Sequence, residues 1–301
     1  MNIKRIGIAG AGTMGYSMAD IFAQYGFDVT LWNHRQPTLD KAKTHISEGV
    51  REKIAYTTNL NDLSNVDLII ENVTEDEEIK NAFYESLSQI VDDHTIIATN
   101  TSGLSINGLA AHVKHPNRFL GMHWFNPPTL ILLIEIIKND ATSDDVAQAV
   151  YDVALKIDKK PVLINKDVLG FAANRIQLAV IREALSLVEA GVVSKEGIDD
   201  VIKYGLGFRW ACIGPLETMD FGGLDTFYHI ADYLMPDMDG PQALALLRAN
   251  SDYKNIPVIF LTGVSEKETV IKTLVELKPE GYVLKPTRKS ELVAKIIDVL
   301  G

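Results

Sequence analysis

The sequence predicts an α/β chain: a doubly wound parallel sheet, then a truncated all-α stretch, then a partial βαβα segment. Three observations carry this expectation. A glycine-rich turn links an apolar run to a helical pattern and a second apolar run, two more continuous apolar runs follow at the spacing of parallel strands, and apolar runs return late in the chain after a purely helical stretch.

The first run, RIGIA at 5–9, leads directly into Gly10, Ala11, Gly12, Thr13, Met14 and Gly15 and a helical pattern that ends near Tyr25 and Gly26; the run 27–32 then closes a βαβ unit. G-x-G-x-x-G in that context is a dinucleotide fingerprint of the Rossmann type. The first glycine makes a tight turn, the second lets a pyrophosphate approach the backbone, and the third lets the helix lie close on the strand. The helix N-terminus then offers free N–H groups to the phosphates. Gly10, Gly12, Thr13, Met14 and Gly15 are therefore expected to hold the cofactor. After the second strand an acidic residue normally accepts from the adenosine ribose of NAD. Here Asn33, His34 and Arg35 stand instead. Asn33 can still bond a hydroxyl, and Arg35 can pair with a 2′-phosphate, so NAD is the expected cofactor and NADP the alternative.

VDLIIE at 66–71 and TIIAT at 95–99, separated by a helical stretch at 77–90, predict parallel strands buried on both faces. They run out into ENVTED and NTSGLS, at the carboxyl edge where ligands of such sheets bind. The next segment, RFLGMHWFNPPTLILLIEIIKN, is two strand-like runs joined across Asn126, Pro127 and Pro128. If the chain reverses about Thr129, His123 and Glu135 face one another. A carboxylate in an apolar strand demands a partner. Beside an imidazole it fixes the tautomer and makes the ring a stronger base for an alcohol proton.

GAGTMG, NTSGLSI, GMHWFNPP, LIEII and GFAANRI occur in this order, and together they resemble the L-3-hydroxyacyl-CoA dehydrogenases over about residues 1–235. The resemblance implies fatty acid metabolism, an acyl-CoA substrate and a homodimer formed through the helical part. It implies that His123 takes the 3-hydroxyl proton, that Glu135 is its carboxylate partner, that Ser102 bonds the substrate oxygen, and that Asn174 positions the thioester end. Glu75 and Lys80 in TEDEEIK, with Asn100, would line the cofactor side. Two departures stand against it. The span at 34–59 is short where the family carries a coenzyme A-contacting excursion, and Leu169 replaces a proline at the entry to the helical domain.

Helical spacing continues over 170–190 and 195–204, and GPLETMDFGGLDTFYHIADYL follows the dehydrogenase pattern. The chain then changes. DYLMPDMDG, IPVIFLTG, a helical stretch at 266–277, GYVLKP and a last helix at 289–300 resemble the latter part of a response-regulator receiver domain, with Asp232 at the phosphoacceptor position and Thr262 and Lys285 as its hydroxyl and ammonium partners. The first receiver strand, with its metal-binding acids, is absent upstream. The division expected is a Rossmann domain at 1–165, a truncated helical substrate and dimerisation domain at 166–234, and a receiver-like, flavodoxin-like segment at 235–301. A dehydrogenase is the leading function; the alternative is a signalling or chimeric protein whose Rossmann domain binds cofactor without catalysis.

Bulk properties agree with a cytoplasmic enzyme. A formal net charge of -11 argues against a nucleic-acid partner. The longest apolar run, at 130–137, contains Glu135 and is too short for a bilayer, so no membrane is expected. Cys212 stands alone, which fits a reducing compartment. The first residues enter a strand at once and leave no room for a leader, and no metal site is expected.

Overall fold

β1 (Arg5–Ala9) and β2 (Asp28–Trp32) flank α1 (Thr13–Gln24), the βαβ unit the glycine turn predicts. The computed structural model describes residues 1–223, 258–262, 278–284 and 287–300. The chain forms two compact units, Met1–Val192 and Val193–Gly301.

In the first unit α2 (Gln36–His45) and α3 (Glu48–Arg51) lead to β3 (Ala55–Thr57), and α4 (Glu77–Ser88) links β4 (Leu68–Glu71) to β5 (Ile96–Thr99). After α5 (Ile106–Ala110) come the hairpin β6 (Phe119–Trp124) and β7 (Leu133–Lys138), then α6 (Asp144–Lys156), β8 (Lys160–Ile164) and α7 (Ala173–Glu189). These strands form one sheet in the order β3-β2-β1-β4-β5-β6-β7-β8. All neighbours are parallel except β6 and β7, which are antiparallel. The order reverses between β1 and β4, which makes the switch point where ligands of open sheets bind.

β4 and β5 are buried along their whole length because helices cover both faces. Met18 and Phe22 of α1, Leu39 of α2 and Val150 of α6 pack on one face. Phe83, Tyr84 and Leu87 of α4 and Leu109 of α5 pack on the other. Each such side chain contributes roughly 1.5–3 kcal/mol by leaving water. Two strands escape the sequence reading. β3 is a three-residue edge strand in a polar stretch, and β8 is an edge strand that carries Pro161, whose missing N–H is tolerated because only β7 pairs with it.

In the second unit α8 (Lys195–Val201) runs on through a π turn at Ile202–Leu206 into α9 (Gly207–Trp210), and α10 (Pro215–Gly222) follows. β9 (Ile259–Thr262) pairs in parallel with β10 (Gly281–Leu284), and a helix occupies Lys289–Leu300. Thr262 closes β9; Asp232, Lys285 and the helix expected at 266–277 lie outside the described residues.

Candidate active site

The glycine turn has the shape of a phosphate cradle. Gly10 has φ +109, and a Cβ there would meet the Asn72 carbonyl oxygen at 2.4 Å. A Cβ on Gly15 would stand 1.8 Å from the Gly10 oxygen, so α1 can lie this close only with glycine. Gly12 is different: its Cβ would meet nothing within 4 Å. That open space lies at the N-cap of α1, whose first N–H groups have no side-chain cap. A dinucleotide pyrophosphate fits this arrangement, with Thr13 and Met14 in the first turn. At the end of β2, Asn33 is buried; its Oδ1 accepts from the Ala11 N–H at 3.3 Å and its Nδ2 donates to the Arg35 carbonyl at 3.2 Å. Arg35 itself is exposed.

The hairpin places His123 opposite Glu135 in register, and His123 Nδ1 lies 2.9 Å from Glu135 Oε2. Both side chains are buried, at 4% and 2% exposure. The other carboxylate oxygen, Oε1, accepts from the backbone N–H groups of Ala172 and Ala173 at 3.0 and 2.9 Å, so the N-terminus of α7 is seated on Glu135. Burial pushes the Glu135 carboxyl up, but the His123 bond and the two N–H groups outweigh it and hold it below the ordinary carboxylate range. An ionised carboxylate only accepts. The proton of the neutral ring therefore sits on Nδ1, and Nε2 presents its lone pair. Phe125 and Phe171 wall the imidazole, with ring centroids at 4.4 and 5.4 Å. One residue beyond Ala173, Asn174 Nδ2 donates to the Ser102 carbonyl at 2.8 Å. His123, Glu135, Ser102 and Asn174 are thus brought together.

Glu75 reaches the same loop: its Oε1 accepts from the Ser102 N–H at 2.8 Å and from the Thr101 hydroxyl. Its Oε2 is 3.3 Å from Lys80 Nζ, which also lies 2.6 Å from Glu71 Oε1. Lys80 is 1% exposed, so its ammonium stands behind Glu75. Burial raises Glu75, and the Thr101, Ser102 and Lys80 contacts more than offset it, so its carboxyl is lowered. Asn100 braces the carboxyl edge, donating to Asn72 Oδ1 at 2.8 Å and accepting from the Trp124 N–H at 2.8 Å.

Residues 5–168 match the family model described as 3-hydroxyacyl-CoA dehydrogenase, NAD binding domain, and 170–254 match its C-terminal domain. The chain belongs to the 3-hydroxyacyl-CoA dehydrogenase family. It is an NAD-dependent oxidoreductase of that family. It is 37% identical over 246 residues to a probable 3-hydroxybutyryl-CoA dehydrogenase of Deinococcus radiodurans, covering 76% of this chain and 87% of that one. It is 34% identical over 258 residues to 5-formyl-3-hydroxy-2-methylpyridine 4-carboxylate 5-dehydrogenase of Mesorhizobium japonicum, covering 81% and 84%. A solved structure of an enzyme with that activity superimposes with a TM-score of 0.74 at 30% identity, covering 99% of this chain and 96% of the other. Residues 219–297 also match the response regulator receiver domain and so overlap the dehydrogenase match.

In this dehydrogenase sequence reasoning leaves out Glu71, Tyr84 and Phe171. Glu71 is fully buried and accepts from the Val73 N–H at 2.7 Å, the Thr99 hydroxyl at 2.8 Å and the Tyr84 hydroxyl. Its signal was present, since a carboxylate in VDLIIE needs a partner for the same reason as Glu135. Among the described residues no cluster of His, Cys, Asp and Glu could hold a metal ion, and no helix is long and apolar enough to cross a membrane.

Proposed function

We propose that this dehydrogenase interconverts a 3-hydroxyacyl and a 3-oxoacyl group carried as a coenzyme A thioester. The observation that carries it is the buried His123 and Glu135 pair, bonded to the N-terminus of α7 and set beside Ser102 and Asn174. Bound NAD supplies the hydride acceptor at nicotinamide C4. His123 Nε2 takes the proton of the 3-hydroxyl, and Glu135 holds the ring in the required tautomer and stabilises the charged form. Ser102 bonds the substrate oxygen and Asn174 positions the thioester end. Gly10, Gly12, Thr13, Met14 and Gly15 seat the pyrophosphate. Glu75 and Asn100 form the cofactor side, with Lys80 acting through Glu75. The Deinococcus relative, named for a CoA substrate, supports the thioester.

Absorbance at 340 nm with acetoacetyl-CoA and NADH tests the proposal. Turnover is expected, and its absence from soluble folded protein would sink the thioester reading. His123→Ala should abolish turnover while dinucleotide binding, read by fluorescence titration, is unchanged. Retained activity would refute the assigned base.

The same proposal divides the chain into a dinucleotide-binding domain at 1–165, a truncated helical domain at 166–234 that pairs two copies, and a receiver-derived segment at 235–301. The overlapping family matches support a seam between the last two. They also favour a second reading, in which the tail is a phosphoacceptor. Label from acetyl phosphate incorporated at Asp232 and lost in Asp232→Asn would establish it; no label would reduce the tail to a structural remnant.

A further inference from the structure

We infer that the dinucleotide site accepts NADP(H) at least as well as NAD(H), and that Arg35 is the residue that binds the 2′-phosphate. The inference rests on the dinucleotide site at the glycine turn and is independent of the acyl substrate.

A site that selects NAD places a carboxylate after the second strand. That carboxylate accepts from the ribose hydroxyls and repels a phosphate at the 2′ position. Here the position is Asn33, and its amide is already committed. Oδ1 accepts from the Ala11 N–H inside the glycine turn, and Nδ2 donates to the Arg35 carbonyl. Buried at 7% exposure and bonded at both ends, Asn33 fixes the β2 terminus to the cradle and carries no charge to reject a phosphate. The bond to the Arg35 carbonyl also fixes the backbone from which the Arg35 side chain leaves.

Arg35 is exposed, and among the described residues no carboxylate forms an ion pair with it. The exposed acids Asp40 and Asp62 each bond to other side chains. Asp40 accepts from Gln36 Nε2 at 2.9 Å, and Asp62 accepts from the Thr57 hydroxyl at 2.5 Å and from Asn59 Nδ2 at 3.2 Å. His34, also exposed, sits beside Trp32 with ring centroids 6.4 Å apart and brings no negative charge. A guanidinium without an ion pair, two residues beyond an uncharged β2 terminus, is the donor a 2′-phosphate needs, because its planar fork matches phosphate oxygens in pairs.

Fluorescence titration of the full chain with NADH and with NADPH tests this without turnover. NADPH should bind at least as tightly as NADH. Arg35→Ala should weaken NADPH about tenfold or more and NADH by less than about twofold, the former being the loss of one charge-assisted contact. Raising salt should erode the NADPH advantage first. Asn33→Asp should reverse the order of the two cofactors. NADH binding with NADPH more than tenfold weaker would overturn the inference and leave the dehydrogenase reading intact. Equal losses of both cofactors in Arg35→Ala would overturn the role of Arg35. Failure of both to bind would overturn the cofactor site together with the inference.

Discussion

At the level of single residues, Glu135 decides what His123 can do. Its two oxygens have different tasks: Oε2 faces the imidazole and Oε1 takes two N–H groups from α7. In Glu135→Gln the amide oxygen must turn toward the two backbone donors, which leaves the NH2 group facing Nδ1. The ring then accepts at Nδ1 and carries its proton on Nε2, the atom that must receive one. The expected result is a fall in kcat of roughly 10³–10⁴ with dinucleotide affinity unchanged, the size of a wrong-tautomer defect; a kcat within tenfold of wild type would refute the tautomer role. The same pair was legible in the sequence, because Glu135 interrupts an apolar run and mirrors His123 across Asn126, Pro127 and Pro128. The seat of α7 on Glu135 was not legible. It depends on the chain reversing through Gly170 at φ +78 and Phe171 at φ +51, and a phenylalanine gives no sign that it will adopt a left-handed conformation.

At the level of elements, the turn between β1 and α1 separates two glycines that look alike in sequence. Gly15 supports packing, since a Cβ would strike the Gly10 oxygen at 1.8 Å. Gly12 supports binding, since its Cβ would enter open space at the α1 N-cap. Gly15→Ala is therefore expected to lower the thermal midpoint strongly. Gly12→Ala should cost only about 0.5–1 kcal/mol of stability yet weaken NADH at least tenfold, because the methyl group occupies the pyrophosphate position. Similar midpoints for the two variants would refute this division. The link between β4 and α4 makes a parallel case. Lys80→Met leaves the buried Glu71 carboxylate without its cation and should destabilise the fold by about 3–5 kcal/mol in urea titration. Removing the half-buried Lys43 that pairs with the exposed Glu52 should cost less than about 1 kcal/mol. Equal effects would mean that the Tyr84, Thr99 and Val73 donors alone support Glu71. Strands β1, β2, β4 and β5 were legible because each is mostly apolar and bounded by turn or helix signals, whereas β3 has three residues without a period and β8 carries a proline that reads as a breaker.

At the level of the molecule, two motif sets meet near Asp232 in the sequence, and the matches to the dehydrogenase C-terminal domain and to the receiver domain overlap across it. Charge gives a property of the whole chain that can be measured. Asp67, Glu75, Glu135 and Asp145 all lie below their ordinary values, and Asp93 is lowered to about 2 by its bonds to Lys114 and His115. For Asp67, Glu75 and Glu135 burial acts upward and is outweighed by hydrogen bonds and cations. Every one of these groups sits in Met1–Val192. A carboxyl depressed in the folded state binds fewer protons there than in the unfolded chain between the two pKa values, so its stabilisation is complete above about pH 4.5 and is lost as pH falls through the folded value. Tyr56, raised to about 12 mainly by burial, has the opposite sign: its stabilisation is complete below about pH 10 and is lost as pH rises through its folded value. The thermal midpoint should accordingly be flat from about pH 5 to 8 and fall steeply between about pH 4 and 2. The buried Trp32 and Trp124 report the transition in this unit. In Glu135→Gln the stability deficit seen at neutral pH should shrink over the acid range, because the wild type loses there what the variant never had. A deficit that stayed constant from pH 7 to pH 3 would mean that Glu135 stabilises the hairpin by packing alone, and that its charge serves only the imidazole.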